Sequence, residues 1–130
     1  MEKITVPNLQ WYGDSPLVLE FPISWDVKRC KISSENQRGM TEEQIKTSIM
    51  KPISTKPLSH LAEECEEAVI IIDDMTRPTK SNQYVPHILE ALRESGVPRD
   101  NIRFIMANGS HGTFGRMDFV KKLGEDIVAE

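Results

Sequence analysis

The middle of the chain reads Ala68-Val69-Ile70-Ile71-Ile72-Asp73-Asp74-Met75-Thr76-Arg77-Pro78-Thr79, an unbroken apolar run that leads directly into acids, a hydroxyl and an arginine. The run is short and rich in β-branched residues, and it has no polar side chain on either face. That pattern is typical of a strand covered on both sides in a parallel sheet. Ligands of open parallel sheets bind beyond the carboxyl ends of the strands. The sequence therefore predicts a buried strand over residues 68–73 with a ligand site at its end.

A second strand is predicted over residues 102–107, and a helix is predicted between the two strands. Ser81-Asn82-Gln83 offers an N-cap for this helix, and Ser95-Gly96 gives its stop signal. The apolar residues of the helix recur on one face at Val85, Ile88, Leu89 and Leu92. A strand–helix–strand crossover makes the two strands parallel, so their carboxyl ends lie on one rim. The predicted fold class is therefore α/β, with a Rossmann-like parallel βαβ core.

The N-terminal segment alternates imperfectly between apolar and polar residues. We expect a β-hairpin or meander there, with a turn at residues 13–16 and a further short strand at residues 25–32. Trp11, Tyr12 and Trp25 could form a stacking surface, but core or interface packing is the commoner use of such residues.

The remaining segments predict short helices. Thr41-Glu42-Glu43-Gln44 has the form of a capping box for a helix that ends before Pro52. Residues 57–65 indicate a second short helix with a proline in its first turn. The C-terminal segment is amphipathic, and we expect its helix to bend near Gly124.

The composition, 38% hydrophobic and 28% charged over 130 residues, is typical of one soluble domain, so we expect a single α/β domain over residues 1–130. The net charge of -4 and the scattered basic residues argue against a nucleic-acid partner. The N-terminus lacks the apolar core of a signal peptide, and no apolar segment approaches the roughly 20 residues that span a bilayer. We therefore expect a cytoplasmic protein without a membrane partner. Cys30 and Cys65 lack metal-binding spacing and are interpreted as reduced thiols.

The second strand leads into Asn108-Gly109-Ser110-His111-Gly112-Thr113-Phe114-Gly115-Arg116, a loop whose glycines let a backbone approach a ligand. It matches none of the dinucleotide-binding, P-loop or nucleophile-elbow motifs. The parallel topology places His111 opposite Asp73, Asp74 and Arg77. These residues favour a charged or polyhydroxyl ligand, because the planar fork of arginine suits phosphate or carboxylate.

Three other interpretations of these loops were weighed. The two acids could bond loop amides while Arg77 neutralises them. A haloacid dehalogenase-like phosphatase would need a second acid two positions after Asp73, where this chain has Met75. A metal site from Asp73, Asp74 and His111 is suggested only by residue type, without a motif spacing.

Four segments together resemble the N-terminal part of the nickel-dependent lactate racemase family. They are Asp73-Asp74-Met75-Thr76-Arg77-Pro78-Thr79, the helix start Pro86-His87-Ile88-Leu89, the stop Gly96-Val97, and Ala107-Asn108-Gly109-Ser110-His111. Their order and spacing cover roughly residues 68–128.

The resemblance implies an enzyme that racemises or epimerises a small 2-hydroxy acid with a nickel-pincer nucleotide, a pyridinium mononucleotide that carries nickel. It implies that His111 is the first of two catalytic histidines, which take the hydroxyl proton while hydride moves to the cofactor. Asp74, Met75, Thr76 and Arg77 match the segment that contacts the cofactor. Arg77 is the expected partner of its phosphate or of the substrate carboxylate.

The family's cofactor-tethering lysine, its nickel-binding histidine and its second catalytic histidine all lie further downstream. We therefore assign no metal ligand in this chain and expect it to be the N-terminal part of a longer racemase, inactive alone. Gly112 stands where the family commonly has an arginine, so the identity of the 2-hydroxy acid stays open. The sequence also leaves the oligomeric state open. The alternative is a stand-alone nucleotide- or phosphate-binding module without catalytic activity.

Overall fold

The structure is a computed structural model that describes residues 1–8, 11, 13 and 15–129. The chain divides into two compact units, Met1–Gly39 and Met40–Glu130. In the described part of the chain, no helix is both long enough and apolar enough to cross a membrane.

The first unit contains an antiparallel hairpin, as the sequence predicted. Strand β1 (Glu2–Val6) pairs with β2 (Leu17–Phe21), with Glu2 opposite Phe21. The two strands are also linked by an ion pair of 2.7 Å between Lys3 Nζ and Glu20 Oε1. The predicted turn at residues 13–16 includes Asp14, which lies outside the described residues.

The strand predicted over residues 25–32 was wrong. Turns flank this segment on both sides, since Trp25 N donates to Pro22 O and Glu35 N donates to Ile32 O. A strand is stabilised by hydrogen bonds to a neighbouring strand, and among the described residues this segment has no such neighbour. Trp25 is 60% exposed and lies 6.1 Å from Phe21 between ring centroids. Trp11 is half-buried, and Tyr12 lies outside the described residues.

The second unit begins with helices α1 (Glu42–Met50) and α2 (Leu58–Leu61). The predicted capping box is confirmed, because Thr41 N donates to Gln44 Oε1 at 2.9 Å and Gln44 N donates to Thr41 Oγ1 at 3.3 Å. Helix α2 is shorter than predicted. The chain turns after it, and Glu64 adopts a left-handed backbone with φ +68°, a conformation that ends a right-handed helix.

A parallel strand–helix–strand unit follows, and the predicted bounds of both strands are confirmed. Strand β3 (Ala68–Asp73) pairs in parallel with β4 (Ile102–Ala107), and helix α3 (Val85–Glu94) connects them. Asp73 lies opposite Ala107 in this register. The two strands therefore end level with each other.

The ends of α3 show one wrong prediction and one confirmed. Ser81 does not cap α3, because Ser81–Gln83 forms a separate 3₁₀ turn and the buried Ser81 hydroxyl bonds Tyr84 Oη at 2.9 Å. The stop at Gly96 is confirmed: Gly96 has φ +91°, and Val97 N donates to Leu92 O at 3.1 Å. This is the Schellman arrangement, in which glycine supplies the left-handed residue.

Strand β3 was expected to be covered on both faces, and the described residues cover only one. Val69 is 48% exposed and Ile71 is 69% exposed, whereas Ile72 is buried. The covered face packs against a cluster formed by Ala62, Leu92 and Val97. The run of β-branched residues provides apolar side chains for two faces, but the packing helices of this unit lie against one.

The unit ends with α4 (Arg116–Leu123) and α5 (Glu125–Ala129). Gly124 separates them with φ +97°, so the predicted bend near this residue is confirmed. Helix α4 supplies the buried residues Lys122 and Leu123. It thereby brings one charged side chain into the interior of the unit.

Candidate active site

The loops that follow β3 and β4 meet at one rim of the sheet. The side chains of Asp74 and His111 are in direct contact there, with His111 Nδ1 against Asp74 Oδ2. Because β3 and β4 are parallel and end level, both loops begin at the same height. The predicted convergence of the two polar loops is therefore observed.

Asp74 is held by the turn that it begins. Its Oδ1 accepts hydrogen bonds from Thr76 N at 3.0 Å and from Thr76 Oγ1 at 2.6 Å. The turn is closed by Arg77 N, which donates to Asp74 O at 3.2 Å. An aspartate that bonds the backbone two residues on is a common way of fixing a loop. Since the Asp74 side chain is only 4% exposed, its carboxylate is a fixed part of this rim.

His111 is placed by a second tight turn. Its backbone N donates to Asn108 O at 2.9 Å, and Gly109 has φ +54° within that turn. A left-handed residue is readily accommodated by glycine. The His111 side chain is 47% exposed, so the imidazole is anchored at one nitrogen and open to solvent on the remainder of its surface.

The electrostatics of the pair fix the direction of its hydrogen bond. The hydrogen bond from His111, followed by that from Thr76, lowers the pKa of Asp74 to about 2 against the opposing effect of burial. The carboxylate is therefore ionised near neutral pH and accepts, so His111 Nδ1–H donates. In the neutral ring this leaves the lone pair on Nε2, the arrangement of a general base oriented by a carboxylate.

Asp73 points to a different partner from Asp74. Lys122 Nζ lies 2.7 Å from Asp73 Oδ1, and Thr79 Oγ1 donates to Asp73 Oδ2. Burial raises the pKa of Asp73, but the contacts with Lys122 and Thr79 outweigh it and leave that pKa below its usual value. The two adjacent acids thus serve separate contacts, one to α4 and one to the histidine loop.

Lys122 was missed by the sequence analysis. It is fully buried on α4. The available signal was its spacing, since Lys122 follows Phe119 by three residues and precedes Leu123 on the apolar side of an amphipathic helix. A lysine in that position indicates a buried partner, although the sequence does not say which one.

The other predicted site residues are divided between the interior and the surface. The Met75 side chain is 3% exposed and belongs to the core. Thr76 and Arg77 are exposed on the rim. Thr76 and Arg77 are therefore accessible at the rim, whereas Met75 is not.

The metal site considered from Asp73, Asp74 and His111 is not assembled, since Asp73 faces Lys122 while Asp74 faces His111. Across residues 1–8, 11, 13 and 15–129, no three histidine, cysteine or acidic side chains cluster in a way that could hold a metal ion. An apolar cavity of about 420 Å³ lies elsewhere, beside α3 and α4, and its lining includes none of the predicted site residues.

Comparison with known proteins finds similarity to lactate racemases. The chain is 32% identical over 130 residues to the lactate racemase of Thermoanaerobacterium thermosaccharolyticum, covering 98% of this chain and 29% of that protein. It is 38% identical over 87 residues to the lactate racemase of Lactiplantibacillus plantarum, covering 67% of this chain and 20% of that protein. The chain therefore spans less than a third of the length of these relatives.

A solved structure agrees with the sequence relatives. The lactate racemase apoprotein from Thermoanaerobacterium thermosaccharolyticum superposes with a TM-score of 0.63 at 29% sequence identity, over 98% of this chain and 28% of that one. Residues 12–130 also match the family described as the lactate racemase N-terminal domain. The chain thus belongs to the lactate racemase N-terminal domain family, as the sequence resemblance indicated.

Proposed function

We propose that this chain is the cofactor- and substrate-binding N-terminal part of an enzyme that racemises or epimerises a small 2-hydroxy acid. The observation that carries the proposal is the contact between the ionised Asp74 and the half-exposed His111 at an open sheet rim. The relatives are lactate racemases by name. Because this chain spans less than a third of their length, catalysis would also require parts of the polypeptide beyond it.

His111 would act as the proton acceptor and donor of the reaction. With Nδ1 held by Asp74, Nε2 is the ring nitrogen that would face the substrate hydroxyl. A base whose ordinary pKa lies near neutrality suits such a transfer. Taking the proton from the hydroxyl oxygen, together with loss of hydride from C2, converts the 2-hydroxy acid into a 2-oxo acid. Return of the hydride to the opposite face of C2, with return of the proton to the oxygen, gives the other enantiomer.

The hydride step requires a cofactor, and the rim fits a nucleotide. The exposed arginine after β3 suits a phosphate or a carboxylate, whereas the Thr76 hydroxyl already donates to Asp74 Oδ1. A nickel-pincer nucleotide, when bound, would accept and return the hydride. Thr76 and Arg77 would contact it, whereas the groups that ligate its nickel would lie outside this chain.

Substrate selection would depend on Arg77 and on the residue after His111. Arg77 is exposed beside the pair and suits the carboxylate common to all 2-hydroxy acids. Gly112, which follows His111, leaves space where a larger residue would contact the substrate. We therefore propose the class of small 2-hydroxy acids, with lactate as the first substrate to test.

We further propose that the β3–α3–β4 unit is part of a larger Rossmann-like sheet in the complete, cytoplasmic enzyme. In such sheets ligands bind beyond the carboxyl ends of the strands. Asp74 and His111 follow two such ends. The location of Asp74 and His111 beyond the strand ends supports the proposal of a larger Rossmann-like sheet.

The test is an assay of the complete, cofactor-loaded enzyme with enantiopure L-lactate in deuterated water. We expect the two enantiomers to approach equal amounts on chiral chromatography, with protium retained at C2 because hydride returns from the cofactor. Deuterium at C2 would contradict hydride transfer and indicate exchange through a carbanion. If the protein binds the nucleotide without converting lactate or other small 2-hydroxy acids, the alternative of a binding module replaces the proposal.

A further inference from the structure

The ammonium group of Lys122 lies among three oxygen atoms of one short loop. Lys122 Nζ donates to Asp74 O at 2.6 Å and to Arg77 O at 3.3 Å, and it lies 2.7 Å from Asp73 Oδ1. The side chain is fully buried. The two carbonyls belong to the first and last residues of the turn that fixes Asp74, so the lysine contacts both ends of this turn.

We infer that Lys122 is a positioning residue of the proposed racemase site, which ties the turn Asp74–Arg77 to helix α4 and so holds Asp74 against His111. The inference rests on the proposed function for its catalytic meaning, since it assigns no chemistry to Lys122 itself. The contacts of Lys122 with the loop, from which the inference is drawn, are present without any substrate.

The position of the ammonium favours this role over simple charge compensation. Removing a lysine ammonium from water is costly, and a single buried ion pair often contributes little net stability. The ammonium donates hydrogen bonds to two of the three oxygens, Asp74 O and Arg77 O, and forms an ion pair with the third, Asp73 Oδ1. Two of the three are backbone carbonyls, which carry no net charge to be compensated. Their shared feature is that they define the shape of the loop.

The rival interpretation is that Lys122 only neutralises Asp73. In the described residues Asp73 Oδ1 makes no hydrogen bond of regular geometry, so the lysine is its compensating group. Lys122→Met alone would remove the ion-pair partner of the buried Oδ1 atom, although Thr79 would still donate to Oδ2, and could prevent folding. The double variant Asp73→Asn/Lys122→Met removes both charges together and separates the two roles.

The experiment compares the complete enzyme with Lys122→Met, the double variant and the matched control Lys121→Met. Lys121 is the exposed neighbour on the same helix, so its change has the same chemistry without the buried contacts. The readouts are the melting temperature, amide hydrogen exchange in residues 74–79, and kcat and KM for the hydroxy acid. Exchange reports local opening and requires no activity.

We expect the double variant to recover a melting temperature near that of the wild type while exchange at residues 74–79 stays at least tenfold faster and kcat at least tenfold lower. Lys121→Met should match the wild type in every readout. Wild-type exchange and kcat in the double variant would overturn the inference and leave only charge compensation. If the wild type converts no hydroxy acid, the proposed function fails, while the exchange measurement still decides the role of Lys122.

Competitive acetylation of the unmodified enzyme covers the case in which neither variant folds. We expect acetylation of Lys122 to be at least tenfold slower than that of Lys121, as measured by peptide mass spectrometry. Equal rates in the folded protein would show that the ammonium is not held in the loop and would overturn the inference.

Discussion

Asp74 and His111 are 37 residues apart in the sequence, yet the carboxylate of the first contacts Nδ1 of the second. The parallel crossover makes this contact, since it brings the carboxyl ends of β3 and β4 level. The pair keeps Asp74 ionised and directs one nitrogen of His111 inward. The pairing of these two groups is therefore a product of chain topology, because neither loop contains both of them.

Replacing His111 by alanine in the complete enzyme should abolish racemisation. Loss of a general base typically costs 10²- to 10⁴-fold in rate, and the half-exposed ring contributes little to packing. We expect an unchanged circular dichroism spectrum and no interconversion by chiral chromatography. His60→Ala is the matched control, since His60 is an exposed histidine on α2. Unchanged racemisation in the His111 variant would refute the assignment.

Asp74→Asn should lower kcat by roughly 10²-fold, within the range of a misdirected general base. Asp74 accepts two hydrogen bonds from Thr76 and one from His111. An amide has one oxygen acceptor, so its NH₂ group must face a donor on one side. We expect kcat to fall more than KM rises, whereas the exposed control Asp100→Asn should leave both unchanged. A wild-type kcat would show that the carboxylate does not orient the ring.

Arg77→Ala should weaken retention of the cofactor or raise KM, because it removes an exposed guanidinium from the turn that begins at Asp74. The cofactor bound per subunit, measured by absorbance after gel filtration, separates the first effect from the second. The variant Arg77→Lys should retain only part of the function of Arg77, since an ammonium lacks the planar fork of arginine. Arg103→Ala is the control, because it removes an exposed arginine of β4, which forms an ion pair with Glu67. Wild-type cofactor content together with a wild-type KM would contradict the proposed role of Arg77.

The stability contributed by the Asp74 carboxylate should disappear in acid. Its pKa is lowered from 3.8 to about 2 in the folded state, so the unfolded chain binds the proton first as pH falls. The contribution is therefore complete above about pH 5 and is lost as pH falls through 3.8 toward 2. Urea unfolding of the wild type and Asp74→Asn should show a difference at pH 6 that shrinks steadily to pH 2.

Asp73 is present in both proteins of that comparison, so its own titration largely cancels. A difference that stays constant between pH 6 and pH 2 would show that the Asp74 pKa is not lowered by folding.

Gly96→Ala should destabilise the protein by about 1 kcal/mol. Gly96 has φ +91°, and a Cβ there would meet no atom within 4 Å, so the cost comes from the backbone conformation alone. Gly39→Ala is the control, because a Cβ at Gly39 is equally uncrowded and the residue has no positive φ. We expect thermal unfolding of the Gly39 variant to match the wild type or rise slightly. Equal melting temperatures for the two variants would show that the Schellman turn tolerates a side chain.

Local patterns were sufficient for the elements that carry the site. The bounds of both parallel strands, the capping box at Thr41 and the stop at Gly96 follow from residue type and spacing over a few positions. Topology then placed His111 opposite Asp74, because a crossover of this kind fixes strand direction.

The predictions that failed depended on distant partners. The covered or uncovered state of a strand face depends on which helices pack there, so the β3 residues alone did not reveal that Ile71 is exposed. The segment around Trp25 had strand-like residues, but in the part of the chain that the structure describes it pairs with no other strand. Lys122 is 48 residues from Asp74. The partners of this lysine could therefore be assigned only from the packing of α4 against the turn that begins at Asp74.

The parallel register, with Asp73 opposite Ala107, also makes the contact between Asp74 and His111 sensitive to strand alignment. Side chains alternate between the faces of a strand, so a slip of one residue would turn Ile72 outward and shift Asp74 by about 3.3 Å along the strand. A hydrogen bond between Asp74 and His111 does not survive such a shift. In the proposed racemase, molecules misaligned by one residue would thus be inactive even if compact, so specific activity would report the fraction of correctly registered protein.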